Sequence, residues 1–84
     1  MNSVNLVGKI KGDLIRQAPR VVSFVLAVPR PNGSTFDFVP CLALGKVTER
    51  IPQRLTGVPT IWIGGRLRRE AGELVVAVHD FEVV

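Results

Sequence analysis

A period of two runs through this chain and breaks once. In "TIWIGGRLRRE", Thr60 to Glu70, Ile61, Ile63, Gly65 and Leu67 fall on one side, and Trp62, Gly64, Arg66 and Arg68 on the other. Successive side chains of a β-strand point to opposite faces, so one side can enter a core while the other meets solvent or a ligand. "RVVSFVLAVPR" repeats the pattern, with Val22, Phe24, Leu26 and Val28 opposed to Ser23, Val25 and Ala27. "SVNLVGKIK" alternates more loosely, and "ELVVAVHDFEVV" supplies a fifth segment. "TFDFVPCLAL" is apolar at both parities, as expected of a strand covered on both faces.

Turn chemistry separates these segments. "RPNGS" sets Pro31, Asn32 and Gly33 between two strand candidates, a strong hairpin signal. "REAGEL" predicts a tighter hairpin around Ala71-Gly72, and "GDLIRQAPR" reads as a looser connection closed by Pro19. The break in the rhythm is "GKVTERIPQRLTGVP", Gly45 to Pro59, where Val47, Ile51 and Leu55 recur at helical spacing. Thr48 fits an N-cap, Gly57 a stop, and Pro52 is tolerable in a first turn whose amides lack intrahelical acceptors. The expected element is a short helix of about two turns.

The order is therefore β-β-β-α-β-β over 84 residues, a length that holds one domain, residues 1–84. A five-stranded barrel with a single short helix between strands 3 and 4 is the pattern of the OB-fold, an all-β Greek-key barrel whose strands and loops bind oligonucleotides. The charge agrees with an anionic partner. The formal net charge is +4 and the pI about 10.2, a balance that favours nucleic acid.

Other classes find little support. One cysteine, Cys41, lies in an apolar run and reads as a buried, inert thiol suited to a reducing cytoplasm. No apolar run approaches the roughly 18–20 residues that a membrane span needs, and the first residues lack the apolar core of a secretion signal. His79 and Asp80 are sequence neighbours, which strict alternation places on opposite faces, so they are not expected to work as a dyad. Asp13, Asp37 and Asp80 form no recognisable metal set, and "IGGRL" lacks the spacing and the Lys-Ser/Thr of a phosphate loop. Neither an enzyme nor a cofactor is expected.

Four pieces in register carry a family resemblance: "NLVGKI", "FVLAVPRP", "DFVPCLALGK" and "IWIGGRL". Together they resemble the bacterial single-stranded DNA-binding protein family, over nearly the whole chain from Asn5 onward. They also resemble its shorter relative, primosomal replication protein N. The resemblance implies an OB-fold that assembles into homodimers or homotetramers and binds single-stranded DNA with little sequence preference. It places Phe38 where the third strand of the family carries a base-stacking aromatic. Leu44 stands where the family has Trp or Phe, so one stacking platform is missing. The hairpin between Arg69 and Leu74 is shorter than the family's long DNA-embracing loop, and the family's acidic C-terminal tip does not follow Val84. These departures favour an accessory or restart-type protein over the main cellular one.

A groove for single strands needs cations that track phosphates and aromatic faces that stack bases. Trp62, Arg66 and Arg68 supply both on one strand face, with Gly64 removing bulk between them. Phe38 shares parity with Phe36, Leu42 and Leu44, and periodicity alone leaves open whether the two rings point into the core or out. Lys9 and Lys11 project from one face of the first strand. Arg20 and Arg30 border loops. These nine residues (Trp62, Arg66, Arg68, Phe38, Phe36, Lys9, Lys11, Arg20 and Arg30) are the expected nucleic-acid contacts. Phe24 and Phe81 are expected in the core, and Lys46, Arg50 and Arg54 as a solvated basic helix face. The leading expectation is a cytoplasmic, nucleoid-associated, single-strand DNA-binding homo-oligomer in replication, recombination or repair. The alternatives are a replication-restart accessory that binds DNA weakly and a helicase more strongly, and an OB-fold protein-interaction module without nucleic-acid binding.

Overall fold

The structure, a computed structural model, describes residues 1–52 and 57–84. Five strands form a closed barrel: β1 (Val4–Ala18), β2 (Val21–Pro29), β3 (Phe36–Leu44), β4 (Thr60–Glu70) and β5 (Glu73–Val83). Their order around the barrel is β1-β2-β3-β5-β4, closed by antiparallel pairing of β1 with β4. The β3–β5 seam is parallel, running from Cys41 beside Val76 to Ala43 beside Val78. This is the OB-fold barrel, and closure leaves no long open sheet edge to protect.

The first strand is longer than its sequence suggests. The segment expected as a loose connection, Gly12 to Ala18, continues β1. Lys11 pairs with Val25, and the next partners are Ile15 and Ser23, so β1 carries two extra residues between those pairs. Gly12 takes a positive φ of 80° at this bulge. A glycine that looks like a turn signal instead bends a strand so that one ladder can serve two neighbours. The first half of β1 pairs with β4, the second half with β2, and Lys9 faces both Thr60 and Ala27. At this crossing Gly8 is obligatory, because a methyl group there would run into the Ala27 carbonyl oxygen.

Inward residues follow the alternation. Val22, Phe24 and Leu26 from β2, Cys41 and Ala43 from β3, Ile61 and Ile63 from β4, and Val76, Val78 and Phe81 from β5 make one core. Phe24 and Phe81 meet edge to face, with centroids 6.3 Å apart. The segment after β3 is a 3-10 helix, Gly45–Glu49, where an α-helix starting near Thr48 was expected. Thr48 is not an N-cap; its buried hydroxyl donates to the Gly45 carbonyl at 2.6 Å. Val47 and Ile51 still turn inward and stopper that end of the barrel. The rest of the expected helix, 53–56, lies outside the described residues.

Two hairpins hold the other loops. In the β2–β3 turn the Asn32 carboxamide oxygen accepts from the amides of Ser34 and Thr35 at 3.0 and 3.2 Å, a local Asx turn. In the β4–β5 turn both central residues, Ala71 and Gly72, have positive φ (50° and 81°), as a two-residue type I′ hairpin requires.

Candidate nucleic-acid interface

Two outer faces of the barrel carry the residues that could meet a nucleic acid. The first spans β1, β2 and β3. Cross-strand pairing sets Lys9, Ala27 and Phe38 in one row, and Lys11, Val25 and Pro40 in the next. Phe36 lies beside Pro29 at the hairpin end of the same face. Both rings point outward and are about half exposed, Phe36 at 49% and Phe38 at 53%. The ambiguity left by the double-sided apolar run is thus resolved: the odd-numbered Val39, Cys41 and Ala43 turn toward the core, and the phenylalanines face solvent.

The Lys11 ammonium sits over the Phe38 ring, 4.0 Å from its centroid. A cation over an aromatic face gains about 0.5–1 kcal/mol at an exposed site. The stack keeps a positive charge beside a flat apolar surface. Among the described residues neither Lys9 nor Lys11 has a carboxylate partner. Arg30 differs: its guanidinium is ion-paired with Asp37 at 2.7 Å.

The second face spans β4 and β5, and one irregularity organises it. Gly64 pairs with Asp80 and Gly65 with Val78, so His79 is an extra residue on β5. This bulge alters the alternation. Val78 and Phe81 are both buried, whereas His79 is exposed and Asp80 reaches Arg50 on the surface. Strict alternation would have sent one of the His79–Asp80 pair inward, and that expectation does not hold. Gly65 makes the close packing opposite the bulge possible, since a methyl group there would strike the Ala77 carbonyl.

Trp62 is half-buried, and its ring lies back along its own strand over Gly64. A Cβ at Gly64 would stand 2.9 Å from the indole edge. The space expected for an approaching base is therefore filled by the tryptophan itself. Cross-strand, Trp62 stands beside Val7 and Glu82. Arg50 ties Asp80 and approaches Glu82 at 3.9 Å, so the surroundings of the indole carry paired charges. The Arg50 hydrogen bond holds the Asp80 carboxyl below its usual range, with further help from the Phe81 amide.

Arg66 and Arg68 lie beyond the bulge, opposite Ala77 and Val75. With His79, Leu44, Asn2 and Ser3 they border a surface groove of ≈ 360 Å³. Arg68 is bound to Glu70 at 2.6 Å, whereas Arg66 has no carboxylate partner among the described residues. Asn2 fixes the groove's rim: its carboxamide nitrogen donates to the Leu67 carbonyl and its oxygen accepts from the Leu67 amide, both at 2.8 Å. The arginines and the indole share a strand face but stand on opposite sides of the bulge.

The remaining candidates are dispersed. Arg20 is at the barrel end near the 3-10 helix, 3.6 Å from Glu49. In the expected basic stripe, Lys46 is exposed, Arg50 is committed to Asp80, and Arg54 lies outside the described residues. Cys41 is buried, and desolvation pushes its thiol up to about 12, so it stays protonated and unreactive near neutrality. Among the described residues no three metal-ligating side chains gather. No helix among them is long and apolar enough to cross a membrane. His79, Asn2 and Ser3 are groove residues that sequence reasoning missed; for His79 the Gly-Gly pair opposite it was the available hint of irregular backbone.

With this geometry in view, the chain can be set beside known proteins. No protein-family model matches it, and no curated protein sequence matches it. Among solved structures it is similar to the N-terminal domain of the PriB protein from Thermoanaerobacter tencongensis, a structure described as dimeric. The TM-score is 0.81 at 28% sequence identity, over 99% of this chain and 96% of that one. The likeness extends over the entire barrel rather than a shared fragment.

Proposed function

We propose that this barrel binds single-stranded DNA with little sequence preference, as a homodimer, in the service of DNA replication and its restart. The reading is of a cytoplasmic binding protein, not an enzyme. The observation that carries it is the outward pair Phe36 and Phe38 with Lys11 stacked on the second ring and Lys9 alongside. Exposed rings next to unpaired ammonium groups offer a base a π-face and its phosphate a cation, and every base has a π-face. An OB-fold presents ligands with its strand 2–3 surface, which is where these rings stand. The likeness to the dimeric PriB domain, and the sequence resemblance to single-strand-binding and primosomal proteins, support the setting and the oligomeric state.

The interface is spare. Leu44 is aliphatic, Trp62 is packed over Gly64, and three of the candidate arginines are ion-paired. These observations favour a restart accessory of modest affinity that works beside a partner such as a helicase. Titrating a labelled oligo-dT into the protein and following anisotropy at two salt concentrations tests the reading. Binding that weakens with salt, by a slope of about −0.7 per phosphate contact, is the expected result. No anisotropy change at low salt, with the protein folded, would leave the interaction-module alternative standing.

A further inference from the structure

The β5 bulge aims the chain's single histidine into a groove already flanked by two guanidiniums. A strand bulge re-aims one side chain, and bulges concentrate at functional sites. Here the re-aimed side chain is His79, on the same rim as Arg66 and Arg68. Resting on the nucleic-acid reading above, we propose that His79 is a third phosphate contact in this groove, one that switches on with protonation. The groove then holds the backbone of a single strand more tightly as pH falls from about 7 toward 5.5, the range in which imidazoles gain a proton.

The neighbouring charges permit this. On β4, Arg66 is unpaired among the described residues and Arg68 is shared with Glu70. On β5, Asp80 is held by Arg50, which also approaches Glu82. The charges of Asp80 and His79 also act on each other, but Arg50 is the stronger partner of Asp80. The 3-10 helix carries Lys46 and Glu49, the latter paired with Arg20, Arg50 follows it, and β3 presents the neutral Leu44. The N-terminal segment brings Asn2 and Ser3, and the α-amino group of Met1 precedes them. A neutral imidazole beside Arg66 costs little, whereas an imidazolium there is repelled unless a phosphate lies between them. Protonation and strand binding are consequently linked: each favours the other.

The experiment is oligo-dT anisotropy at about pH 7.2 and about pH 5.5, at constant ionic strength, on the intact chain. Wild type should bind about three- to tenfold more tightly at the lower pH, the gain of one charge-assisted contact. His79→Gln should lose that response, its affinity changing little between the two pH values. His79→Arg should bind tightly at both. Circular dichroism at both pH values checks that each variant keeps its strands. An equal pH response in wild type and His79→Gln would overturn this inference and leave single-strand binding intact. Absence of binding by all three proteins at both pH values would overturn the functional reading, and the inference with it.

Discussion

The two outer faces use their aromatic residues in opposite ways. On the β1–β2–β3 face, Phe36 and Phe38 are exposed, and Lys9 and Lys11 of the same face have no carboxylate partners among the described residues, the Arg30–Asp37 pair lying at its hairpin end. On the β4–β5 face the larger ring, Trp62, leans on Gly64, and much of the surrounding charge is spent internally in the Arg50–Asp80 and Arg68–Glu70 pairs. An aromatic side chain stabilises the fold in proportion to the area it removes from water. The same ring cannot also be fully available to a base. The first face leaves its rings half exposed, Phe38 with the Lys11 ammonium over it, and the second uses its ring to cover the barrel.

That contrast can be broken at its foundation. The β4–β5 face exists because Gly65 lets the strand backbones close up opposite the bulge. Gly65→Ala should be the most damaging of the changes considered, about 3 kcal/mol or more, since the new methyl meets the Ala77 carbonyl rather than a yielding side chain. Urea denaturation followed by circular dichroism measures it. A loss below about 1 kcal/mol would show that the bulge can relax, and that the face is less rigid than described.

The division of labour itself is tested by a crossover. Phe38→Ala should weaken oligo-dT binding by about 1–3 kcal/mol, the worth of one base stack, while barely moving the urea midpoint. Trp62→Ala should do the reverse, lowering stability by about 1–3 kcal/mol through lost packing over Gly64 and leaving affinity close to wild type. If Trp62→Ala proves the more harmful to binding, the base platform belongs on β4 and the assignment of the faces is inverted.

Much of this arrangement could be read from the sequence, and the parts that could not share a cause. The strands β2 to β5 and the inward rings Phe24 and Phe81 followed from alternation, because a residue's parity decides its face wherever one side is polar. Parity was silent for Phe36 and Phe38, whose strand is apolar on both sides. It misled at His79, where one extra residue in the ladder shifts every face beyond it. It misled again from Gly12 to Ala18, where glycine and proline read as loop signals although the glycine marks a bulge within β1. Bulges are set by how two backbones meet across a barrel, which no single strand's pattern records. The nine candidate contacts were drawn from charge and ring type, and such a choice does not reveal ion pairing. Arg20 and Arg30 carry partners that only the folded chain brings within reach, whereas the partner of Arg68 is Glu70, two residues on along the same strand.

Ion pairing gives a finer comparison within the second face. Arg66 and Arg68 are two residues apart on one strand and border one groove, yet only Arg68 is held by a carboxylate. A phosphate approaching Arg68 must compete with Glu70. Arg66→Ala should therefore flatten the salt dependence of oligo-dT binding by about one contact, some 0.7 in slope, and Arg68→Ala by less. Glu70→Gln should raise the contribution of Arg68 toward that of its neighbour. Equal slopes for the two alanine variants would mean that the ion pair dissolves in solution, as exposed pairs often do.

The smallest expected effect lies at the tip that joins β4 to β5. Ala71 has a φ of 50°, a left-handed conformation that costs a residue with a Cβ about 1–2 kcal/mol relative to the right-handed one. The type I′ turn needs that geometry at both central positions, and Gly72 supplies the second without strain. Asparagine tolerates the left-handed region better than alanine, because its short polar side chain can bond to the local backbone. Ala71→Asn should consequently stabilise the barrel by about 0.5–1 kcal/mol, read as a higher urea midpoint at unchanged m-value. Oligo-dT affinity should not change, since the substitution relieves the hairpin without touching Phe36, Phe38 or the groove beside His79. A gain in binding alongside the gain in stability would mean that the tip itself takes part in holding the strand. The second face would then extend past Arg68 to the end of the hairpin, and its contrast with the first would narrow.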